Sequence, residues 1–143
     1  MKRIVALVCI IGVAACGGSK ASPYDVARAT VADQIAGKSG GIWDRAHPDL
    51  QARMPKADYV ACVTALGGSP QTAALAEIES IAGTYVTTKG ARLDARAVTV
   101  GIRLTSGENG SEQVWLVDVQ SQWRVVQIVS SGDTEKTSCM KRL

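Results

Sequence analysis

Phenylalanine is absent from this chain of 143 residues, and all aromatic residues together make up 4%. Three tryptophans, Trp43, Trp115 and Trp123, are therefore expected to carry much of the aromatic packing, as core residues rather than as the lining of an apolar-ligand pocket. Histidine occurs once, at His47, so a histidine base has a single candidate. Lysine and arginine form no dense run. Nucleic-acid binding needs a basic face that contacts several phosphates, and none is legible here. No serine sits in a Gly-x-Ser-x-Gly elbow, and no glycine-rich phosphate loop joins a strand to a helix. The longest uncharged apolar run, Ile4 to Ala15, has twelve residues. A membrane-spanning helix needs about 20, so this run is too short to span. Internal repeats and low-complexity segments are also missing.

What stands at the N terminus is a basic start, Met1-Lys2-Arg3, then the run "IVALVCIIGVAA", then Cys16. A basic flank, a short apolar stretch and small residues at its end fit a secretory signal. A buried strand or helix would leave the basic flank unexplained. The stretch "VAAC", Val13 to Cys16, resembles the lipobox of bacterial lipoproteins: an aliphatic residue, two small residues and the cysteine of that motif. The resemblance implies cleavage before Cys16, a diacylglyceryl group on its thiol, and acylation of its new amino group, for instance with palmitate. Ordinary signal peptidase would accept Val13 and Ala15 at the same bond. The cysteine directly after the cut, and "GGSKAS" behind it, favour the lipoprotein form. Two or three acyl chains hold a protein on a membrane where one gives only marginal binding. The expected organisation is a signal peptide over 1–15, a flexible tether over 16–22 and one domain over 23–143. The tether would keep the domain close to the membrane, on the extracytoplasmic side.

Loss of residues 1–15 removes Lys2 and Arg3 from sixteen basic side chains and leaves all thirteen acidic ones, formally +1. Cys9 leaves with the signal and Cys16 takes the lipid. Cys62 and Cys139 remain, in an oxidising compartment, where a pair is expected to bond. They lie too far apart in sequence for a Cys-x-x-Cys motif. One histidine and two cysteines supply too few ligands for an ordinary zinc site, so neither metal nor cofactor is expected.

"SPYDVARATVADQIAG" predicts a helix over 23–36, with Ser22 as N-cap, Pro23 at the first position and Asp25 three after the cap. "GKSGG" reads as loop. "IWDRAHPDLQARM" suggests one or two short turns with Trp43 buried. Pro55 starts a further helix with Val60, Val63 and Leu66 as its stripe and Cys62 near its middle. From Ala73 the period changes to that of strands, with Gly83 marking a bulge or bend. In "AVTVGIRLT", Val98, Val100, Ile102 and Leu104 alternate with Thr99, Gly101, Arg103 and Thr105. "SGENGS" reads as a hairpin turn, and a second tight turn falls near Gln120-Ser121. "EQVWLVDVQ" is apolar on both faces, which suits a central strand covered on both sides. The fold class is α+β: about three N-terminal helices packed on a curved four-stranded antiparallel meander.

This order resembles the cone-shaped, cystatin-like fold shared by nuclear-transport-factor-like, ketosteroid-isomerase-like and SnoaL-like proteins. The residues that carry the resemblance are Trp43 with His47-Pro48, Cys62, and Trp123-Arg124-Val125. The chain departs from that fold in having about ten residues, Arg45 to Met54, where an early hairpin usually lies. A smaller or more open pocket is implied. In isomerase-like members a carboxylate, or an aspartate–histidine pair, performs proton transfer. Asp44 and His47 are the weak catalytic candidates by that resemblance, with Asp49 and Asp58 nearby in sequence. A structural His-Pro at a helix end is the favoured reading. The expected protein is thus a membrane-anchored, extracytoplasmic, non-catalytic domain that binds a small apolar molecule or an envelope protein. An isomerase- or cyclase-like enzyme using Asp44 and His47, or a purely structural envelope lipoprotein, are the alternatives.

Overall fold

Ser22 begins the first helix by a reciprocal cap. Its Oγ accepts a hydrogen bond from the Asp25 N–H, while its own N–H donates to the Asp25 carboxylate. The structure is a computed structural model that describes residues 20–66, residues 69–130 and Cys139. Helix α1 spans Pro23–Ile35, with Ala36 as its C-cap. Gly37 follows at φ +70°, a left-handed conformation that a Cβ disfavours. There the Gly37 N–H donates to Gln34 O and the Lys38 N–H to Asp33 O. This pair of bonds satisfies carbonyls that the last helical turn leaves open.

The segment read as loop after Gly37 is in fact mostly helical. Helix α2 spans Ser39–Arg45 and takes in Gly40 and Gly41. These glycines serve close packing rather than chain flexibility. A Cβ on Gly41 would collide with the Asp33 carboxylate, which forms an ion pair with Arg45 at 2.7 Å. One on Gly40 would lie 3.2 Å from Lys56 Cε. Ile42, not Trp43, takes the interior position of α2. Trp43 is half-buried, because its indole N–H reaches the Met54 carbonyl at 3.0 Å near the surface.

Helix α3 is one turn, Pro48–Gln51, and helix α4 spans Lys56–Ala65. The buried residue of α4 is Tyr59, with Cys62, Val63 and Leu66 packed at the core margin. The stripe therefore begins one residue before Val60, at spacings of three and four from Tyr59. Burial pushes the Tyr59 hydroxyl up to about 12.

Four strands follow in the order β1 (Ala73–Val86), β2 (Arg92–Leu104), β3 (Asn109–Val119) and β4 (Gln122–Ser130). Each pairs antiparallel with the next, giving the expected four-stranded meander beside N-terminal helices. The α+β class holds. The β2–β3 turn runs over Leu104–Glu108, so Asn109, Gly110 and Ser111 belong to β3 rather than to the turn. The β3–β4 turn has Gln120 and Ser121 both at positive φ, as a two-residue turn between twisted strands demands.

Helix α1 lies along β3. The Lys20 ammonium just before it meets the Asp118 carboxylate at 2.6 Å, near the end of β3. Gln34 near its far end donates to Glu112, near the start of β3. Ala27 and Val31 are fully buried with Val98, Val100, Val114, Leu116 and Val125 of the sheet. The opposite face of the sheet has a second, smaller apolar cluster. Ala95, Val117 and Val126 are buried there beneath Tyr85, Leu93, Trp115 and Val119. Strand β3 is accordingly buried on both faces, with helices over one and the sheet's own side chains over the other.

The irregularity in β1 falls at Ile78, where the register shifts between Glu77 and Glu79. Gly83 is in regular register opposite Ala95, and it is not the bulge. Its lack of a side chain is explained by Trp115. That ring reaches across β2, and a Cβ on Gly83 would lie 2.5 Å from it.

Cys62 and Cys139 are disulfide-bonded across a sequence separation of 77, as expected. A crosslink closing a loop of this length stabilises by about 4–5 kcal/mol on the chain-entropy model. The Cys62→Ala/Cys139→Ala double variant is expected to lose about 2–5 kcal/mol in urea unfolding. Loss below about 1 kcal/mol would show that the bond contributes little to stability.

Candidate functional site

His47 stands where the helices meet the edge of the sheet. Ala46, the C-cap of α2, forms a parallel bridge with Val125, and the His47 N–H donates to the Val125 carbonyl at 2.8 Å. His47 is in turn the N-cap of α3. Its Nδ1 accepts from the Asp49 N–H at 3.1 Å. A backbone N–H can only donate, so Nδ1 is the unprotonated nitrogen of a neutral ring and the proton lies on Nε2. Pro48 then fits the first helical position, where no N–H is required. His47 is 8% exposed, and its ring is tilted at 51° to that of Tyr85, with centroids 6.4 Å apart.

Burial holds the His47 pKa below its usual value. The Arg124 charge adds to this and the Asp49 carboxylate opposes it. The direction agrees with the cap, since protonating Nδ1 would cost the bond to Asp49.

Asp44 faces elsewhere. Its two carboxylate oxygens accept from Lys56 Nζ at 2.8 and 2.7 Å, in an exposed ion pair. The two weak catalytic candidates thus share no hydrogen bond among the described residues. Asp49 contributes its backbone to the cap and its charge to the surroundings of His47. Asp58 is exposed in the first turn of α4. The arrangement is one of caps and backbone bonds: the His47 imidazole starts α3, while the Ala46–His47 backbone fastens the α2–α3 junction to β4.

The remaining candidates are dispersed. Cys16, the expected lipidation site, lies outside the described residues, as does the expected signal peptide over 1–15. Trp43 and Trp123 pack at the margin of the helical core, and Trp115 covers the opposite face. Among the described residues no three His, Cys, Asp or Glu side chains gather as a set that could hold a metal ion. Nor is any described helix long and apolar enough to cross a membrane.

Two features were missed in the sequence. One is the anchoring of Lys20, within the expected tether over 16–22, on Asp118 and over the ring of Trp123. Nothing local signals a contact between residues so far apart in the chain. The other is the exposure of β1, where Ile78 and Ile81 are 62% and 45% exposed on an edge strand of 14 residues. Their spacing of three breaks strand alternation and was the available sign of the bulge.

No protein-family model matches the chain, and no match emerges with curated proteins or with solved structures.

The His47 cap has a pH signature. The unfolded chain binds a proton near the ordinary histidine value, about 6.5, and the folded chain binds it only at lower pH. Stability is therefore complete above that value and falls as pH drops towards the depressed folded value. In His47→Asn the side chain still caps but does not titrate. Thermal unfolding between about pH 7 and 5 is expected to slope in the wild type and to flatten in His47→Asn. Equal slopes would remove His47 as the cause.

Proposed function

We propose that the protein is a lipid-anchored lipoprotein of the cell envelope, whose domain binds a protein partner rather than catalysing a reaction. Export and anchoring are supported by the "VAAC" stretch at Val13–Cys16 and the Gly-Ser linker behind it. The bond between Cys62 and Cys139 fits the same reading, since stable disulfides belong chiefly to oxidising compartments.

Binding is favoured over catalysis because Asp44 and His47 are engaged separately, with Lys56 and with the α3 backbone. A protein is favoured over a small apolar ligand because the space between helices and sheet is occupied by the domain's own valines, leucines and Tyr59. The single observation that carries the docking surface is the edge strand β1. Its outer edge is unpaired among the described residues, and it presents Ile78 and Ile81 beside Glu77 and Glu79. An extended segment of an envelope protein with basic and apolar side chains would add there as a fifth strand.

Two measurements test this reading. In detergent-extracted protein, the intact mass is expected to equal residues 16–143 plus a diacylglyceryl group, with or without a further acyl chain. Cys16→Ser is expected to lack that mass and to leave the detergent phase. Wild-type protein without lipid mass would overturn the anchor. A photo-crosslinking residue at Ile81 is expected to give one discrete adduct in intact cells, at least several-fold weaker when Ile78→Lys is added. The absence of any adduct would overturn the docking surface.

A further inference from the structure

Lys20 sets how the domain stands on its anchor. Its ammonium is held by Asp118 at 2.6 Å and lies 5.9 Å from the centre of the Trp123 ring. Those two residues are paired across β3 and β4, beside the Gln120–Ser121 turn. The meander brings the β1–β2 turn, Thr87–Ala91, to the same end of the sheet. Lys20 stands only four positions after Cys16, with three residues between them. Fully extended, those four steps reach about 14 Å.

We propose that this end of the sheet faces the bilayer, and that the β1–β2 hairpin tip rests on anionic phospholipid headgroups through Lys89 and Arg92. The proposal rests on the anchoring of Cys16 put forward above. The observations that commit it to a lipid surface are the short reach of the tether, its fixed end and the chemistry of the tip. Lys89 and Arg92 are exposed and make no ion pair among the described residues. Val86, at the end of β1, is 54% exposed and supplies an apolar contact beside them. Asp118 is already neutralised by Lys20, which leaves Asp94 as the nearest opposing charge on β2. The headgroup layer is several ångströms thick, and charges interact across about 8 Å at physiological salt. The tether bounds how far this end of the sheet can stand from the headgroup layer. The β2–β3 turn at Ser106–Gly107 lies at the other end of β2, roughly 40 Å along the strand.

The test uses the full chain, lipidated in cells and reconstituted in vesicles of phosphatidylglycerol and phosphatidylcholine that carry a headgroup quencher. A fluorophore is placed through Thr88→Cys at the tip, or through Ser106→Cys at the opposite end. The native Cys62 and Cys139 are bonded and do not react. Quenching is expected to be at least several-fold greater at 88 than at 106. It is expected to fall in Lys89→Glu/Arg92→Glu and in vesicles of phosphatidylcholine alone. Vesicle-bound protein quenched equally at both positions would overturn the orientation. Quenching at 88 that ignores both charge reversal and lipid charge would overturn the headgroup contact. Protein that fails to float with the vesicles would instead overturn the anchor, and this proposal with it.

Discussion

The seating of α1 on the central strands is the contact on which the other elements depend. Ala27, Thr30 and Val31 are wholly buried at that interface. They are small or β-branched, so the helix axis can approach the valines of β2 and β3 closely. Thr30 satisfies its own hydroxyl by donating to the Val26 carbonyl. Each fully buried valine contributes about 1.5–3 kcal/mol. The exposed Lys20–Asp118 pair at the helix start adds about 0–1 kcal/mol, so it sets direction more than stability. Helix α2 then hangs from the end of α1 through the Gly37 turn and the half-buried Asp33–Arg45 pair. His47 can reach Val125 only because α2 has been placed in this way.

The two edges of the sheet are treated differently, and the difference follows from that chain of placements. Strand β4 is met at Val125 by the Ala46–His47 bridge, which occupies part of its outer edge. Strand β1 lies at the far side of the sheet from β4. Unmanaged edges invite pairing between copies, and charges and bulges are the usual counter-measures. Strand β1 has both, in the bulge at Ile78 and the exposed Glu77 and Glu79. All its charged residues are acidic, so a second copy paired antiparallel about this region would bring like charges together. A basic segment would meet no such penalty. Selectivity of this kind is what a docking edge requires.

Much of the fold was legible in the sequence because its signals are local. The Ser22–Pro23–Asp25 start, the alternation from Val98 to Leu104 and the tight turn at Gln120–Ser121 each act through neighbours in the chain. The pairing of Cys62 with Cys139 was legible by counting, once export is assumed. The errors share one physical origin. Gly40 and Gly41 read as loop, and Gly83 as a bulge, because glycine signals backbone freedom when only the local chain is considered. In the structure these positions make room for Asp33, Lys56 and Trp115, residues on other turns and strands. Trp43, expected in the interior, lies at the margin for a similar reason, since the indole N–H found its acceptor in Met54. The candidate site was least legible. Proximity in sequence suggested Asp44 beside His47, but tertiary packing gave each a different partner.

A core without phenylalanine has a consequence that links stability to place. Valine and alanine bury less area per residue than aromatic side chains do, and the three tryptophans are only partly buried. The crosslink between Cys62 and Cys139 supplies about 4–5 kcal/mol on the entropy model. Against a usual net stability of about 5–15 kcal/mol, that share is large. Under the proposed envelope reading, the bond forms only after the chain has left the reducing cytosol. Before export the domain lacks its crosslink, and the balance between burial and chain entropy is correspondingly closer. On that reading the disulfide closes the fold on the side of the membrane where the proposed lipid anchor would hold it, so that fold and location would be secured by chemistry available in the same compartment.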